Sequence, residues 1–581
     1  MRPTEEGIRE LADRCLIKYD CHDQIVMHDM IREMGREIVR QESLDPGKRS
    51  RLWYLDDVLE VLREGKGTEA VNGLLLHATN VQVNAKPFEK MDKLWYREHV
   101  LEVQRDGMGT ELVERGLLKF NDLEDVQVNP KAFEKMNNLW LLHLDYVHLT
   151  SGYEHISKRL LWLSWKGFPL DCIPWNFSME KLVALDLRYS SLRKVWNGNM
   201  IMDKLKFLYL SHCHYLTRTP DFSGLYSLEE LTLNDCKSLV EVDESIRCLN
   251  KLLVLDMKNC TKLWKLPSGI WMLKSLKRLD LSGCSKLGNL AVFKGPLYKL
   301  WCLFFSSWTL PPKGVHSIGF SLISVQAASC LMELNLKDCH LSYIPEEIGN
   351  LISLRTLDLT QNNLCTLPES ICNLTCLKRL RLEDNNMSHL PSGIGGLTSL
   401  EILNLARNSL CTLPDSIGKL SCLKELFVGN NKLSHLPSEI GDLDSLETLE
   451  LQRNNGFLAL PESICKLVRL QILSLYDCNL SHLPNEIDRL ISLAHLELRR
   501  NRSLILPESI WHLTSLNTLD LGDCNLSHLP SGIGGLVSLE ILIIEKNNMC
   551  TIPDSINNLP CLENIRLNDC AKLRSLPELP T

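Results

Sequence analysis

The chain has 581 residues, of which 44% are hydrophobic and 23% charged, and its formal net charge is −8. This apolar fraction favours a folded protein, but the length exceeds the roughly 250–300 residues of one compact domain, so several domains or a repeat array are expected. The sequence has no apolar run of the ~18 residues that span a bilayer, no apolar secretory signal at its start and no basic bias, which weighs against membrane, secreted and nucleic-acid-binding proteins.

The first predicted elements are a short strand and an amphipathic helix. Gln24–Val26 has the composition of a strand, and the helix covers residues 27–42. Apolar residues recur there at the spacing of one helix face. They are Met27, Met30, Ile31, Met34 and Ile38. Such a piece is too small to be stable alone, so residues 1–65 are expected to form a small helix–wing segment attached to a larger body.

A spacer over residues 66–138 comes next, and it overlaps a tandem duplication. Leu52-Trp53-Tyr54 recurs as Leu94-Trp95-Tyr96, and Phe88–Met91 recurs as Phe133–Met136. We interpret the second copy as a duplication without a role of its own. An extra functional module is the alternative.

From residue 139 onward one pattern dominates, L-x-x-L-x-L-x-x-(N/C)-x-L. Its Asn or Cys position, here called the rung, recurs about every 23 residues, the period of leucine-rich repeats. The rungs are Cys213, Cys236, Cys260, Cys284, Cys339, Asn362, Asn385, Asn408, Asn431, Asn454, Cys478, Asn501, Cys524, Asn547 and Cys570. Weaker copies carry Val147, Phe168 and Ser190 at the same position.

The residue types in each repeat predict an α/β fold, a leucine-rich-repeat solenoid. The leucines alternate as on a short strand and point into one continuous core, while the small polar rung bonds backbone groups that would otherwise be buried unpaired. The second half reads L-P-x-x-I-x-x-L, as in Leu367-Pro368 through Leu374. Proline cannot continue a strand ladder, so this half is expected to be a short helical or extended convex segment. The array is then a curved horseshoe with a parallel sheet on its concave face.

The repeats divide into two predicted blocks, over residues 139–305 and 331–581. Residues 306–330, which include Pro311-Pro312, match no repeat and are expected to form an insertion loop. A binding element and an inert insertion are both compatible with such a loop. The second block is expected to end within a repeat, truncated and without a polar cap.

The cysteines are predicted to be buried thiols rather than disulfide halves. Eight of the 22 occupy the rung, where Asn is expected to serve equally well in sibling repeats. This usage fits a reducing compartment, so we predict a cytoplasmic or nucleocytoplasmic protein. The recurrent Ser-His-Leu-Pro histidines are expected to be exposed rather than to form a metal site. These are His389, His435, His482 and His528.

Several segments resemble plant intracellular immune receptors of the TIR–nucleotide-binding–leucine-rich-repeat class. Ile8–Ile17, the Met27-His28-Asp29 motif, Gly35–Val39 and Gly47–Trp53 resemble the end of that family's winged-helix subdomain. The stretch from Tyr153 to Pro169 resembles the family's entry into the first repeats. The resemblance covers most of the chain and is most specific over residues 8–290.

This resemblance implies the carboxyl-terminal portion of such a receptor, with a winged-helix remnant before the repeats. In the family the Met-His-Asp histidine contacts the diphosphate of bound ADP, so His28, with Asp29 beside it, are the candidate cofactor-binding residues. The sequence, however, contains no phosphate-binding G-x-x-x-x-G-K-[ST] loop, and the family's NAD-hydrolysing TIR domain is also missing. We therefore predict that this chain is not an enzyme and holds no ADP, ATP or metal.

The predicted functional surface is the concave face, where side chains between the ladder leucines point outward. It mixes aromatic and arginine residues without a stripe of one charge, which favours a protein partner over a polyanion. The candidate contact residues are Tyr189, Tyr209, Arg381, Arg407, Phe427, Arg453, Tyr476, Arg499 and Arg500.

The family implies an effector-recognition and autoinhibitory region. It would bind a pathogen effector or a guarded host protein and, in an intact receptor, the intramolecular nucleotide-binding domain. No nucleic acid or membrane partner is expected. The alternative is a stand-alone intracellular leucine-rich-repeat scaffold in signalling.

Overall fold

The computed structural model describes residues 17–19, 25–27, 29–76, 133–147, 149, 152–287, 330–454 and 458–577. These residues fall into two compact units, one ending at Leu210 and one beginning at Ser211. Most of the duplicated spacer, the predicted insertion loop up to residue 329, and His28 lie outside the described residues.

The first unit begins with strands β1 (Ile17–Tyr19) and β2 (Ile25–Met27), which pair antiparallel, followed by helix α1 (Asp29–Arg40). The predicted strand and helix are thus confirmed to within a few residues. Two residues of the predicted apolar helix face, Met34 and Ile38, are 62% and 65% exposed. These two side chains therefore do not contribute to the core of this unit, although Val39 does.

Strand β3 (Arg51–Leu52) and helix α2 (Leu55–Glu64) connect this segment to the repeats. Gly65 ends α2 in the left-handed conformation, with φ +65°, and its N–H bonds the carbonyl of Val61, a common way to cap a helix carboxyl end. The guanidinium of buried Arg49 bonds the carboxylate of Asp57 in the first turn of α2 at 2.6 Å. This contact fixes the helix against the loop before β3.

The remaining strands of the first unit are parallel and pair with their sequence neighbours. They are β4 (Gly73–Leu76), β5 (Leu141–Asp145), β6 (Trp162–Lys166), β7 (Ala184–Asp186) and β8 (Phe207–Tyr209). Their core includes the rings of Trp165 and Phe168, perpendicular with centroids 5.1 Å apart, and Tyr153, whose centroid is 5.9 Å from that of Trp165. Trp165 Nε1 donates to the carbonyl of Val147, so the indole is both packed and hydrogen-bonded.

The described residues of the second unit form fourteen three-residue strands, and each described pair is parallel. They are β9 (Glu230–Thr232), β10 (Val254–Asp256), β11 (Arg278–Asp280), β12 (Glu333–Asn335), β13 (Thr356–Asp358), β14 (Arg379–Arg381), β15 (Ile402–Asn404), β16 (Glu425–Phe427), β17 (Thr448–Glu450), β18 (Ile472–Ser474), β19 (His495–Glu497), β20 (Thr518–Asp520), β21 (Ile541–Ile543) and β22 (Asn564–Arg566). The central leucines pair with one another, as Leu357 does with Leu380. The register thus lines the leucines up into one buried stack, as the pattern predicts.

Short 3₁₀ helices form the second half of most repeats, which confirms the prediction of a helical segment after the proline. In Glu369–Asn373, Pro368 is the residue before the helix, and its carbonyl accepts from the N–H of Ile371. Within the described residues the 3₁₀ helices are Pro46–Lys48, Tyr153–His155, Glu244–Cys248, Ser268–Met272, Glu346–Asn350, Glu369–Asn373, Ile394–Gly396, Asp415–Lys419, Ser438–Asp442, Glu462–Lys466, Ile487–Arg489, Glu508–His512, Ser531–Gly535 and Asp554–Asn558.

The asparagine rungs are buried and link each repeat to the one before it. Asn385 Nδ2 donates to the carbonyl of Leu382 in its own repeat and to that of Leu359 in the preceding repeat, both at 3.0 Å. Its Oδ1 accepts from the N–H of Leu364, also in the preceding repeat, at 3.0 Å. All seven asparagine rungs accept such an N–H. One amide therefore satisfies three buried backbone groups.

The cysteine rungs are not equivalent to asparagine, so the prediction that either residue serves equally well is wrong. Cys260 Sγ donates to the carbonyl of Leu233 in the preceding repeat, at 3.2 Å. A thiol offers no good acceptor for a backbone N–H. The preceding repeat compensates by closing its own turn, with the N–H of Leu239 bonding the carbonyl of Cys236 at 2.9 Å.

The thiols divide into a buried and an exposed class with different expected reactivity. Among the described residues no disulfide forms. Burial raises the pKa of Cys478 to about 12 and that of Cys524 to about 11, whereas Cys365 and Cys411 are exposed. Because the thiolate is the reactive species, we expect iodoacetamide at pH 8 to alkylate Cys365 and Cys411 and to spare Cys478 and Cys524.

Mass spectrometry of the digested full chain measures the extent of alkylation at each cysteine. Labelling in guanidinium chloride is the control, because there all four thiols should react. Equal labelling of the two classes in the native protein would show that the rungs are not buried.

Candidate protein-binding surface

In the first unit the candidate surface is built around Tyr209, at the end of β8. Its ring stacks on that of Phe207 with centroids 6.4 Å apart, and the guanidinium of Arg188 lies 5.8 Å from its ring centroid. Arg188 is held by two hydrogen bonds to the carboxylate of Asp186, at 2.8 and 2.7 Å. The half-exposed ring of Tyr209 is therefore held in place by Phe207 and lies close to the positive charge of Arg188.

Tyr189 stands one repeat earlier, immediately before the rung Ser190, and is 43% exposed. Its φ is +63°, in the left-handed region that non-glycine residues rarely adopt. Tyr146, with φ +56°, occupies the equivalent position two repeats earlier. Burial raises the pKa of Tyr146 to about 12. The two tyrosines thus belong to one row along the edge of the strands.

In the second unit, Arg381 and Phe427 end strands β14 and β16 and project between the buried leucines. Arg381 is exposed, with its Nη1 3.6 Å from the carboxylate of Asp358 on the neighbouring strand. Phe427 is half-buried and lies in register with Asn404 and Glu450. The predicted outward orientation of these residues is confirmed.

Arg453, Tyr476 and Arg500 form one cluster, which sequence analysis places on the same face without predicting their contact. The guanidinium of Arg453 lies 5.4 Å from the centroid of the Tyr476 ring, and that of Arg500 lies 5.5 Å from it. Cations at this distance from an aromatic ring are attracted to its electron-rich face. Tyr476 therefore orders two arginines of alternate repeats.

Arg499 is engaged within the surface itself. Its Nη1 and Nη2 both donate to Glu545 Oε2 at 3.1 Å, two repeats along the chain. The contact passes over Gly522, where an added Cβ would lie 3.1 Å from Arg499 Nη1. Only a small residue at position 522 leaves room for the Arg499 side chain to reach Glu545. Arg499 therefore links the outward faces of two repeats and makes this part of the surface more rigid.

Several aspartates at the strand ends are structural, a role that sequence analysis missed. Asp280 accepts from the N–H and the hydroxyl of Ser282, at 2.9 and 2.7 Å, and from Asn335 Nδ2 at 3.1 Å. Burial, and then the charge of Asp280, raises the pKa of Asp256 on the adjacent strand. The sequence does carry a signal for this role, because Asp or Asn recurs at the ends of the strands. Its side-chain oxygen can accept from the backbone N–H two residues further along the chain, a common local turn.

The candidate cofactor residues are only partly placed. Asp29 begins α1, and His28 lies outside the described residues. Within the described ranges there is no cluster of three or more potential metal ligands and no helix long and apolar enough to cross a membrane. The four Ser-His-Leu-Pro histidines are exposed as predicted, each with Nδ1 at 2.7–3.0 Å from the preceding serine hydroxyl.

Two family models match the chain. A leucine-rich repeat region matches residues 319–428, 413–503 and 470–579, and the winged-helix domain described as Disease resistance protein Roq1-like matches residues 4–43. The chain is 33% identical over 247 residues to Disease resistance protein TAO1 of Arabidopsis thaliana, and 32% identical over 253 residues to Disease resistance protein RPV1 of Vitis rotundifolia. The resemblance to the carboxyl-terminal portion of plant TIR–nucleotide-binding–leucine-rich-repeat resistance proteins is confirmed.

The similarity to these resistance proteins is limited in extent. The matched region covers 42% of this chain and 18% of TAO1, and 43% of this chain and 17% of RPV1. Among solved structures, the leucine-rich-repeat protein LIC12759 of Leptospira interrogans is 26% identical with a TM-score of 0.51, covering 75% of this chain and 92% of that one. That likeness supports the leucine-rich-repeat fold.

Proposed function

We propose that this chain supplies the effector-recognition and autoinhibitory leucine-rich-repeat region of a plant intracellular immune receptor. It would act by binding a protein, either a pathogen effector or a guarded host protein. The observation that carries the proposal is the outward face of the strands in a chain that resembles resistance proteins. Aromatic and arginine side chains stand there on a rigid leucine ladder, and these residue types dominate the energetics of protein interfaces.

The electrostatics of this face support a protein partner. Arg381, Arg407 and Arg500 each lie near a carboxylate, at 3.6–4.0 Å, so the charges are interspersed rather than collected into one basic stripe. Mixed charges of this kind favour specific pairing with a complementary protein surface. A nucleic acid would require a continuous cationic path.

The test uses the full chain as bait in plant tissue with and without pathogen challenge. Three forms are compared: wild type, the face variant Arg381→Glu/Phe427→Ser, and the control Lys419→Glu on a 3₁₀ helix. We expect a challenge-dependent partner that binds wild type and the control and is lost with the face variant. The binding is then measured with both proteins purified.

Two results would overturn the proposal. One is a purified partner that binds the face variant as tightly as wild type. The other is the absence of any protein specific to wild type and the control. The autoinhibitory part of the proposal predicts that the chain also binds the nucleotide-binding region of an intact relative. Purified wild type, face variant and control can be tested for this binding in the same way.

A further inference from the structure

The residue immediately before the rung has an unusual backbone conformation throughout the second unit. Its φ is positive in each repeat, for example +57° at Asp235, +55° at Asn430 and +56° at Arg453. Most of these positions hold Asn, Asp or Gly, which tolerate left-handed backbone. Long cationic side chains gain nothing from that conformation, so their presence there points to a role outside folding.

The cations in this row are periodic. They are Arg407, Arg453, Arg500 and Lys546, one in every second repeat. The intervening repeats carry Asn430, Asp477 and Asp523 at the same position. Adjacent strands lie about 4.8 Å apart, so the cations recur about every 9.6 Å along the row.

The structure orders the two central cations, and the carboxylates near the row make only long contacts with it. Arg500 lies 4.0 Å from the carboxylate of Asp477 and 3.8 Å from that of Asp523, and such contacts of a half-exposed guanidinium are weak in water. Arg453 and Arg500 are ordered by the ring of Tyr476 between them. Within the part of the chain that the structure describes, no carboxylate lies within 4.0 Å of Arg453. Arg407 is 62% exposed and its only carboxylate neighbour among the described residues, Glu383, is 3.8 Å away, a contact of little strength in water.

The spacing identifies the chemistry of a complementary ligand. A polyproline-type segment rises about 3.1 Å per residue with three residues per turn, so every third side chain lies on one face about 9.3 Å apart. Carboxylates at that interval would meet the row of cations, and guanidinium groups bind carboxylates through two parallel hydrogen bonds. Asp477 and Asp523 between the cations would repel a ligand with anions at closer intervals.

We propose that the row Arg407, Arg453, Arg500 and Lys546 binds an extended segment of a partner protein that carries an acidic side chain at every third residue. This inference rests on the proposed function, because it assigns the partner chemistry of the same strand face. Tyr476 acts as a positioning residue for the two central arginines.

The experiment measures fluorescence polarisation of labelled twelve-residue peptides with the full chain. The probe is four repeats of Glu-Pro-Pro. A second peptide has the same composition with its four glutamates contiguous, and a third replaces glutamate by lysine. We expect the spaced acidic peptide to bind at least about tenfold more tightly than either control peptide, with binding that weakens as salt is raised.

Matched variants locate the site. Arg407→Asn/Arg453→Asn/Arg500→Asn removes three cations, and asparagine suits the left-handed backbone, so the fold should be retained or stabilised. This variant should lose at least about tenfold in affinity for the spaced peptide, whereas Lys419→Asn should bind like wild type. Circular dichroism and thermal unfolding check that both variants fold.

The proposal is overturned if the contiguous peptide binds as well as the spaced one, if no acidic peptide binds, or if the triple variant keeps its affinity. These outcomes are separate from failure of the proposed function. A purified partner that is lost with Arg381→Glu/Phe427→Ser but retained by the triple Asn variant would support binding by the face and reject the row as the contact.

Discussion

Replacing Asn385 by alanine is expected to lower the free energy of unfolding by about 3 kcal/mol, whereas replacing Cys260 by alanine should cost only about 1 kcal/mol. The asparagine satisfies two carbonyls and the N–H of Leu364, and each buried group left without a partner costs about 1–3 kcal/mol. The cysteine supplies one weak donor, to the carbonyl of Leu233. Asn385→Cys should fall between the two, because it restores a donor and no acceptor.

Urea unfolding gives the overall losses, and amide hydrogen exchange gives the local ones. Stacked repeats can unfold in parts, so the local measurement is decisive. Exchange of the Leu364 amide should accelerate in Asn385→Cys and stay unchanged in Cys260→Ala. Equal exchange of that amide in wild type and Asn385→Cys would contradict the role assigned to the asparagine oxygen.

Gly167→Ala is expected to destabilise the first unit by about 3 kcal/mol, compared with about 1 kcal/mol for Gly198→Ala. Both glycines have positive φ, +66° and +75°, so both alanines carry the strain of left-handed backbone. A Cβ at Gly167 would in addition clash with the ring of Tyr146 at Cδ1, whereas a Cβ at Gly198 would meet nothing within 4 Å. The pair therefore separates the backbone cost from the steric one.

Denaturant unfolding followed by tryptophan fluorescence measures the two losses. Spectrophotometric titration of tyrosine supplies an independent readout, because displacement of the Tyr146 ring into water should lower its pKa from about 12 towards the ordinary value of 10. Gly198→Ala should leave that titration unchanged. Similar losses in the two variants would mean that the ring moves aside without cost.

The repeat pattern predicts much of the fold because leucine spacing and strand geometry are local properties. The strand positions, the buried rungs and the short helix after each proline all follow from residue types within one repeat. The unequal roles of Asn385 and Cys260 could not be predicted in the same way, since they depend on the turn length of the neighbouring repeat. A rung must be compared with the turn of the preceding repeat before its role can be inferred.

The candidate surface could be predicted as a set of outward positions but not as a set of contacts. Alternation along a strand places Phe427 and Tyr476 outside the core. It does not show that Arg499 reaches Glu545 across Gly522, because that contact depends on side-chain length and on the missing Cβ two repeats away. The role of His28 stays a prediction.

A turn in this array is closed either by a backbone bond within its own repeat or by the asparagine rung of the next repeat. This difference affects how a gene that encodes the array can gain or lose repeats. A repeat whose backbone is completed by its own residues, like the one containing Cys236, can be copied or lost as a whole unit. A repeat that depends on the next asparagine, like the one containing Leu364, must be inherited together with its neighbour. Unequal recombination should therefore be tolerated more readily in the cysteine-rich stretch of the array than in the asparagine-rich one.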